Sequence, residues 1–530
     1  MSLQSSQPTQ SPQRLLLVPG SATLADVRPV FAGPVAVTLD GPWRDRVDAG
    51  WKVIEDAVAA GAPVYAVNTG FGKLASVSIP EEQLVELQRR VIVSHITGVG
   101  PDLPHSVVRC ILLLKLLGLA QGHSGVRPVV IDYLARFLEA DALPRVASQG
   151  SVGASGDLAP LAQLTGTLMG YGEVRHGGRL RPAPEVLAEL GLEPLVLGPK
   201  EGVALINGTQ ASTAVALAGA FAAESVFLAG LAAGALSLEG TCGTPGPFDP
   251  RIHRIRGQAG QVRVGAVLAA MAEGSPIRAK DGPRRLQDPY SFRCQPQVMG
   301  AVLDLLGFAG TLLGREVNAV SDNPLVFPDD GVVLSGGNFH AEPVAFAADM
   351  IAMALCEIGG MSERRTAMMM DSSLSGLPPF LVGQAGLNSG LMLAQVTAAA
   401  LVAENRMLSH PASVDSVPTA ANQEDYVSMA MHGGRRLAPM AANAAHVVAI
   451  ELTSGAQAVD LQDPSEPSPG TRPVYDLVRS VSPFLAEDRI LAGELADLGR
   501  LVLDGAFDGH VPLEVYSPLE AYSPLEVSGP

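Results

Sequence analysis

Ala211-Ser-Thr-Ala-Val-Ala-Leu-Ala-Gly-Ala-Phe-Ala-Ala-Glu224-Ser-Val-Phe-Leu-Ala-Gly-Leu-Ala-Ala-Gly-Ala-Leu-Ser-Leu238 is too long and too continuously apolar for a strand. By length it could cross a bilayer, and it is the one membrane-like stretch of the chain. Glu224 interrupts it midway, however, and Ala and Gly dominate over Leu and Ile, which suits a helix buried among other helices. The segment Ser106-Val-Val-Arg-Cys-Ile-Leu-Leu-Leu-Lys-Leu-Leu-Gly-Leu-Ala-Gln121 repeats the pattern, with its charges placed singly. Further helices are predicted at 80–95, 296–315, 342–358, 388–408 and 436–458, each bounded by Gly, Pro or Asn. Strand signals are short: Val35 to Leu39, Val64 to Asn68, and Glu173 to Arg181, where His176-Gly177-Gly178-Arg179 can turn a hairpin. The chain therefore reads as mainly α, a bundle whose sites form between facing helices and often between subunits. No dinucleotide-binding Rossmann domain is indicated.

The chain has 530 residues, 47% hydrophobic and 17% charged, which is enough to bury a large interior. A formal charge of −17 argues against nonspecific binding to nucleic acid or anionic lipid, both of which need a basic face. Cys110, Cys242, Cys294 and Cys356 lie far apart, with neither zinc-site spacing nor the density of a secreted disulfide scaffold. A reducing cytoplasm fits that usage. Residues 1–13 are rich in Ser and Gln, lack the basic start and apolar core of a signal peptide, and read as a disordered tail. At the other end, 512–530 repeats with a period of six: Pro512-Leu-Glu-Val, Pro518-Leu-Glu-Ala and Pro524-Leu-Glu-Val, with Tyr-Ser before the second and third. Proline so placed favours extended chain, and a solvated tail outweighs a docking peptide on composition.

The chemistry is concentrated in Gly153-Ala154-Ser155-Gly156-Asp157-Leu158-Ala159-Pro160. A Gly amide is unhindered, so the Gly156 nitrogen could attack the Ala154 carbonyl. Loss of two waters, one carrying the Ser155 hydroxyl, would then leave a ring with an exocyclic methylidene. No standard side chain supplies such an electrophile. Taken alone, the same residues would be a small-residue turn with Ser155 or Asp157 capping the next helix. Other motifs fail: Ser155 lacks the glycine two residues on that a nucleophile elbow needs, Gly150, Gly153 and Gly156 are misplaced for a dinucleotide loop, and no close His/Cys/Asp cluster would hold a metal.

From about Leu15 to Val511 the chain resembles the aromatic amino-acid ammonia-lyases, most closely those acting on histidine. The resemblance is carried by Val64-Tyr65-Ala66-Val67-Asn68-Thr69-Gly70-Phe71-Gly72, Ser94-His95, the Ala154-Ser155-Gly156 loop, Asn207-Gly208-Thr209-Gln210, Gln287-Asp288-Pro289-Tyr290-Ser291-Phe292-Arg293-Cys294, Gly337-Asn338-Phe339-His340-Ala341-Glu342 and Asn422-Gln423-Glu424-Asp425. Singly most are weak; in this order they are specific. The resemblance implies the mainly α fumarase/aspartase-like lyase fold, with an N-terminal domain at 14–205 bearing the loop and a helical bundle at 206–511. It also implies a homotetramer with shared active sites and the cofactor 4-methylidene-imidazol-5-one (MIO), formed autocatalytically from Ala154, Ser155 and Gly156, with no metal.

It assigns roles as well. Tyr65 falls on the catalytic base; a weakly acidic β-proton needs a strong base, and a phenolate near positive charge would serve. Tyr290 is the second phenol. Arg293 would grip the substrate carboxylate, a bidentate task suited to the guanidinium fork. Asn207, Gln287 and Tyr290 would line the ring and the migrating amine, Asp157 would assist cyclisation or dehydration, and Phe339 would support the ring. His95 and Glu424 would read the substrate side chain. A carboxylate buried beside a phenyl ring pays desolvation unpartnered, whereas imidazole offers an N–H, so Glu424 favours L-histidine as substrate, giving trans-urocanate and ammonia to begin histidine degradation. The substrate would engage the ring through its amine or its own side-chain ring. One departure is Tyr426, where histidine-acting members commonly carry histidine, which leaves room for altered specificity. The competing readings are an MIO enzyme for tyrosine, phenylalanine or a modified histidine, an aminomutase, and, more distantly, a noncatalytic helical assembly protein.

Overall fold

The computed structural model describes residues 12–61, 63–65, 67–513 and 517–520. They form two compact units, each gathered from separated stretches of chain. The first comprises the residues up to Ala218, Leu312–Phe346 and Pro411–Arg435; the second comprises Gly219–Thr311, Ala347–His410 and the chain from Arg436 on. Reading in chain order, with a division at 205/206, does not see that 312–346 and 411–435 return to the first unit.

In the first unit Gln13–Leu17 pairs in parallel with Val35–Leu39, so Gln13, assigned to the N-terminal tail, begins a strand instead. The apolar 106–121 stretch is a helix, His105–Leu119, buried along most of its length and packed on Pro128–Glu139. Glu173–His176 and Arg179–Pro182 make the expected hairpin, with Gly177 and Gly178 both at positive φ as a tight primed turn requires. The expected strand Val64 to Asn68 is instead a turn: the Val64 N–H goes to the Asn68 side-chain oxygen (2.7 Å), and the Val64 carbonyl accepts from the amides of Val67 and Asn68. With its amide taken by the Asn68 side chain and its carbonyl by the turn, Val64 has no backbone group left for a ladder. Leu84–His95 packs against both Leu158–Leu168 and Glu201–Ile206. Those three helices end or begin at His95, at the Ser155 loop and at Asn207.

The 211–238 stretch lies in a helix, Gln210–Gly240, whose apolar window is 89% buried. Gln295–Val317 and Glu342–Met370 are also long and apolar enough to cross a bilayer, so the stretch is not alone in that respect. In the second unit small residues set how closely helices approach: a Cβ on Gly219 would lie 2.5 Å from the Leu437 Cβ, and one on Gly240 would lie 2.6 Å from the Ala458 Cβ. Leu437–Asp460, matching 436–458, packs on Met392–Leu408 and Ala492–Leu503. Glu342–Met370 outruns its expected end at 358, because Arg365 beyond Gly359-Gly360 is drawn fully inside to chelate Glu451 (Nε–Oε1 2.5 Å, Nη2–Oε2 2.7 Å). Ser237 and Ser362 also donate to that carboxylate (2.8 and 2.6 Å), so both its oxygens are satisfied, whereas Arg365 Nη1 is buried without a partner.

Of the C-terminal repeat, Pro512, Leu513 and Ser517–Glu520 are described; residues 521–530 lie outside the described residues, as do 1–11. Ser517 and Leu519 are buried rather than solvated, and Pro518–Glu520 forms a short 3-10 turn rather than extended chain. Proline is compatible with the opening position of a helical turn, where its missing N–H is not needed.

Candidate active site

The Ala154-Ser155-Gly156 loop is curled. Ser155 has φ +57° and Gly156 φ +79°, left-handed values that a serine rarely adopts. Such a curl shortens the path from the Ala154 carbonyl to the Gly156 amide relative to an extended chain. Gly156 bridges to Gly208, and the Asp157 amide donates to the Gly208 carbonyl at 2.8 Å, tying the loop to the segment that carries Asn207. A Cβ on Gly156 would sit 2.4 Å from that carbonyl, so glycine is needed for the approach as well as the dihedral.

Asp157 holds the helix N-cap position, yet its side chain does not cap. The fully buried carboxylate instead accepts from Ser151 Oγ (2.9 Å), Ser212 N (2.7 Å) and Ser212 Oγ (2.8 Å). Burial pushes its pKa up against the opposing pull of those donors. The capping alternative for Asp157 is thus replaced by a link to the start of the Gln210–Gly240 helix.

Two polar side chains bond to Ser155. Asn207, 4% exposed, donates Nδ2 to the Ser155 carbonyl (2.5 Å), leaving Oδ1 turned elsewhere; Glu424 Oε1 accepts from the Ser155 hydroxyl (3.1 Å). Asn207 Oδ1 and Glu424 Oε2 are both buried without a hydrogen-bond partner. Unpaired buried acceptors cost on the order of 1–3 kcal/mol each, so this is a place prepared for N–H donors. Glu424 is delivered by a strained loop: Ala420, Ala421 and Asn422 all have positive φ, and the Thr419 amide closes the loop on the Glu424 carbonyl at 2.7 Å. The same stretch of chain braces the Ser155 loop, since the Met429 amide donates to the Val152 carbonyl (3.0 Å).

Tyr65 is half-buried; its hydroxyl accepts from the Gly72 amide (3.0 Å) and its ring meets Phe71 edge-on at 6.5 Å. The following turn, Gly72–Leu74, packs against Ala420–Asn422 and so lies alongside the Glu424 loop. His95 is the last residue of Leu84–His95. Its Nδ1 is 2.6 Å from the Val91 carbonyl, which can only accept, so Nδ1 carries the hydrogen and Nε2 is the acceptor of the neutral ring. Phe339 is half-buried in a turn rather than a core aromatic; its neighbour His340 stacks on Tyr426 (6.2 Å, 19°). The departure at Tyr426 therefore has a local role as a stacking partner.

Gln287, Tyr290 and Arg293 belong to the second unit and line one cleft of about 460 Å³ with Thr244, Pro247 and Gln297. Asp288 fixes the segment: nearly fully buried, it takes Arg285 Nε (2.8 Å) and the Thr244 amide (2.7 Å). Tyr290 is 68% exposed, and the Arg293 guanidinium lies 5.0 Å from its ring centre while donating Nε to the Asp288 carbonyl (2.9 Å). Only Nε is taken up by that contact, which leaves the two terminal nitrogens as donors suited to a carboxylate. A second cavity, of about 300 Å³ in the first unit, is lined by Ile96, Asp102, Arg145, Gln163 and Tyr171 among others and contains none of the expected site residues.

Sequence reasoning missed Ser151, Ser212 and Lys115. Lys115, 1% exposed, donates to the carbonyls of Ala204 (3.1 Å) and Asn207 (2.9 Å). Burial pushes its pKa down to about 7, with Lys200 adding to the shift and Asp322 and Asp157 opposing it. The available signal was a single lysine inside the otherwise apolar run Ile111–Leu119. Among the described residues no group of three or more His, Cys, Asp and Glu is placed to hold a metal.

The sequence profile of the aromatic amino acid lyases matches residues 22–480. Histidine ammonia-lyase of Paracidovorax citrulli is 53% identical over 482 residues, 91% of this chain and 94% of that protein. The crystal structure of histidine ammonia-lyase from Trypanosoma cruzi superposes with a TM-score of 0.89 at 36% identity, covering 98% of this chain and 100% of that one. The crystal structure of tyrosine aminomutase from Streptomyces globisporus follows with a TM-score of 0.88 at 35% identity, covering 94% and 98%.

Proposed function

Because the chain belongs to the aromatic amino acid lyase family, we propose that it is a carbon–nitrogen lyase that removes ammonia from L-histidine to give trans-urocanate, the opening step of histidine degradation. The observation that carries this reading is the pair of unpaired buried acceptors, Asn207 Oδ1 and Glu424 Oε2, on either side of Ser155. Phenylalanine would leave Glu424 buried beside a hydrocarbon ring. Histidine brings both an amine and an imidazole N–H, which matches two acceptors. The 53% identity to a histidine ammonia-lyase supports the same choice.

Ala154, Ser155 and Gly156 fit the MIO ring that the family implies. The left-handed Ser155 and unhindered Gly156 favour closure of the Gly156 nitrogen on the Ala154 carbonyl, with two waters lost. Asp157, buried and held by three donors, would move a proton during that maturation. The ring would supply an electrophile that draws electrons from the substrate. Around it, Asn207 would line the ring and the amine, Tyr65 would take the β-proton with its oxygen fixed by the Gly72 N–H, and His95, accepting at Nε2, would share the imidazole with Glu424. Arg293 would clamp the substrate carboxylate, with Gln287 and Tyr290 lining the amine side. Phe339 would support the ring environment. No metal is required in this scheme.

The protein would act in the cytoplasm as a homotetramer whose sites are shared between copies. Four free thiols suit the compartment. Large apolar residues exposed on long helices of the second unit, among them Phe308, Met353, Leu393, Val396 and Met407, suit further assembly. Incubation with separate amino acids, followed by absorbance and mass analysis of the products, tests the reading. Urocanate from histidine is expected. Cinnamate or coumarate as main product, or a β-amino acid, would replace it with a phenylalanine, tyrosine or aminomutase activity, and no product with an unmodified mass would favour a scaffold without chemistry.

A further inference from the structure

Two features that lyase chemistry leaves unused meet in the second unit: the tail repeat, and the carboxylate that interrupts Ala211–Leu238. Ser517 donates its hydroxyl to Glu224 Oε1, while the Leu519 amide donates to Ser517 Oγ at 3.1 Å. Glu224 is 4% exposed, Ser517 7% and Leu519 1%. The Leu519 backbone runs so close to the Gln295–Val317 helix that a Cβ on Gly310 would lie 2.1 Å from the Leu519 carbonyl oxygen. Serine donates to the buried carboxylate, leucine is itself buried beside Gly310, and proline sets the turn between them without needing a donor. This is a seat for Ser-Pro-Leu.

The chain carries that motif twice in identical surroundings, Tyr516-Ser-Pro-Leu-Glu520 and Tyr522-Ser-Pro-Leu-Glu526, whereas the earlier Pro512-Leu513-Glu514 follows Val511 and has no serine. We propose that the seat formed by Glu224 and Gly310 is a docking site for Ser-Pro-Leu segments, and that Ser523-Pro524-Leu525 is its second occupant, replacing Ser517-Pro518-Leu519 within the same chain. Moving the docked register along by one repeat lengthens the tether by six residues. The entropy of loop closure grows only logarithmically with length, so the second register costs little more than the first. The seat then stays filled when its first occupant is displaced.

Disulfide trapping with diamide in the full-length enzyme tests this. Glu224→Cys with Ser517→Cys should cross-link readily. Glu224→Cys with Ser523→Cys, in a chain also carrying Leu519→Asp to vacate the seat, should cross-link within about tenfold of that rate, and at the mass of a single chain on a denaturing gel. Glu224→Cys with Val511→Cys, and Glu224→Cys alone, should give no such product. Failure of the Ser517 pair overturns the seat, failure of the Ser523 pair when the Ser517 pair succeeds overturns the second occupant, and a cross-link at twice the chain mass overturns the same-chain assignment. Retained histidine turnover in the Leu519→Asp background verifies that the chain is folded. Should that variant not fold, Leu519→Ala in its place withdraws the buried side chain without adding charge and leaves the same outcomes decisive.

Discussion

The two clusters of site residues treat their polar groups in opposite ways. Around Ser155 nearly everything is inside: Asp157 has three donors, Lys115 two carbonyls, and the loop is curled into dihedrals that a free chain avoids. Around Arg293 the loop is anchored below by Asp288, while Tyr290 and Gln287 remain open to solvent. The first arrangement suits a part that must be made once and then held; the second suits a part that must admit and release a charged molecule. Substitutions in the first should therefore change what the protein is, and substitutions in the second only how well it turns over.

The sharpest break comes from Ser155→Ala, which removes the hydroxyl to be lost as water. Turnover should be all but abolished, and the intact mass should stay at the unmodified value, where wild type is expected to be lighter by two waters. A fully active wild type with unmodified mass would end the MIO assignment. Next is Glu424→Ala. Losing a buried charge-assisted hydrogen bond should cost about 3 kcal/mol, roughly a hundredfold in kcat/KM for histidine. Any weak phenylalanine activity should fall less, because an apolar ring never used the contact. Intact mass must accompany the kinetics, since Glu424 also touches the Ser155 hydroxyl. Equal loss on all substrates with normal mass would move Glu424 from recognition to the shared chemistry.

What was legible in the sequence follows the same division. Long apolar helices declare themselves because burial dictates their composition, and the order of short motifs named both clusters. Three things stayed hidden. The turn at Val64 depends on where one side chain, Asn68, spends its oxygen. The pairing of Asp157 with Ser212 depends on two segments meeting across the fold, and in sequence the residue is indistinguishable from a cap. The positive dihedrals of Ala420 and Ala421 are held by tertiary context against the preference of alanine, so no local signal announces them. Lys115 was visible as an oddity, but its meaning required knowing which carbonyls it faced.

In the open cluster, Arg293→Lys keeps the charge and loses the fork. A loss of about 2 kcal/mol, roughly thirtyfold in kcat/KM for histidine, is expected with no change in intact mass. Unchanged kinetics would place Arg293 outside the site, and a missing two-water loss would mean that the clusters are not separable in the way proposed.

The smallest effect probes the closed cluster through stability. Lys115 titrates near 7 in the fold because burial penalises its charge, against about 10.4 in an unfolded chain. Below pH 7 both states hold the proton and the folded state bears the whole penalty. Between about 7 and 10.4 the unfolded chain binds more protons than the fold, so this residue makes stability rise with pH, by on the order of 1 kcal/mol per unit at most. Lys115→Met removes that slope. Urea midpoints of wild type and variant, compared at pH 6.5 and pH 9, should therefore move apart in wild type's favour as pH rises. The neutral amine can still donate to the carbonyls of Ala204 and Asn207, so wild type at pH 9 keeps the support of Asn207 without the cost of a buried charge. A pH-independent difference would mean that Asp157 and Asp322 hold Lys115 charged throughout, and that the floor beneath Asn207 is an ion network rather than a neutral brace.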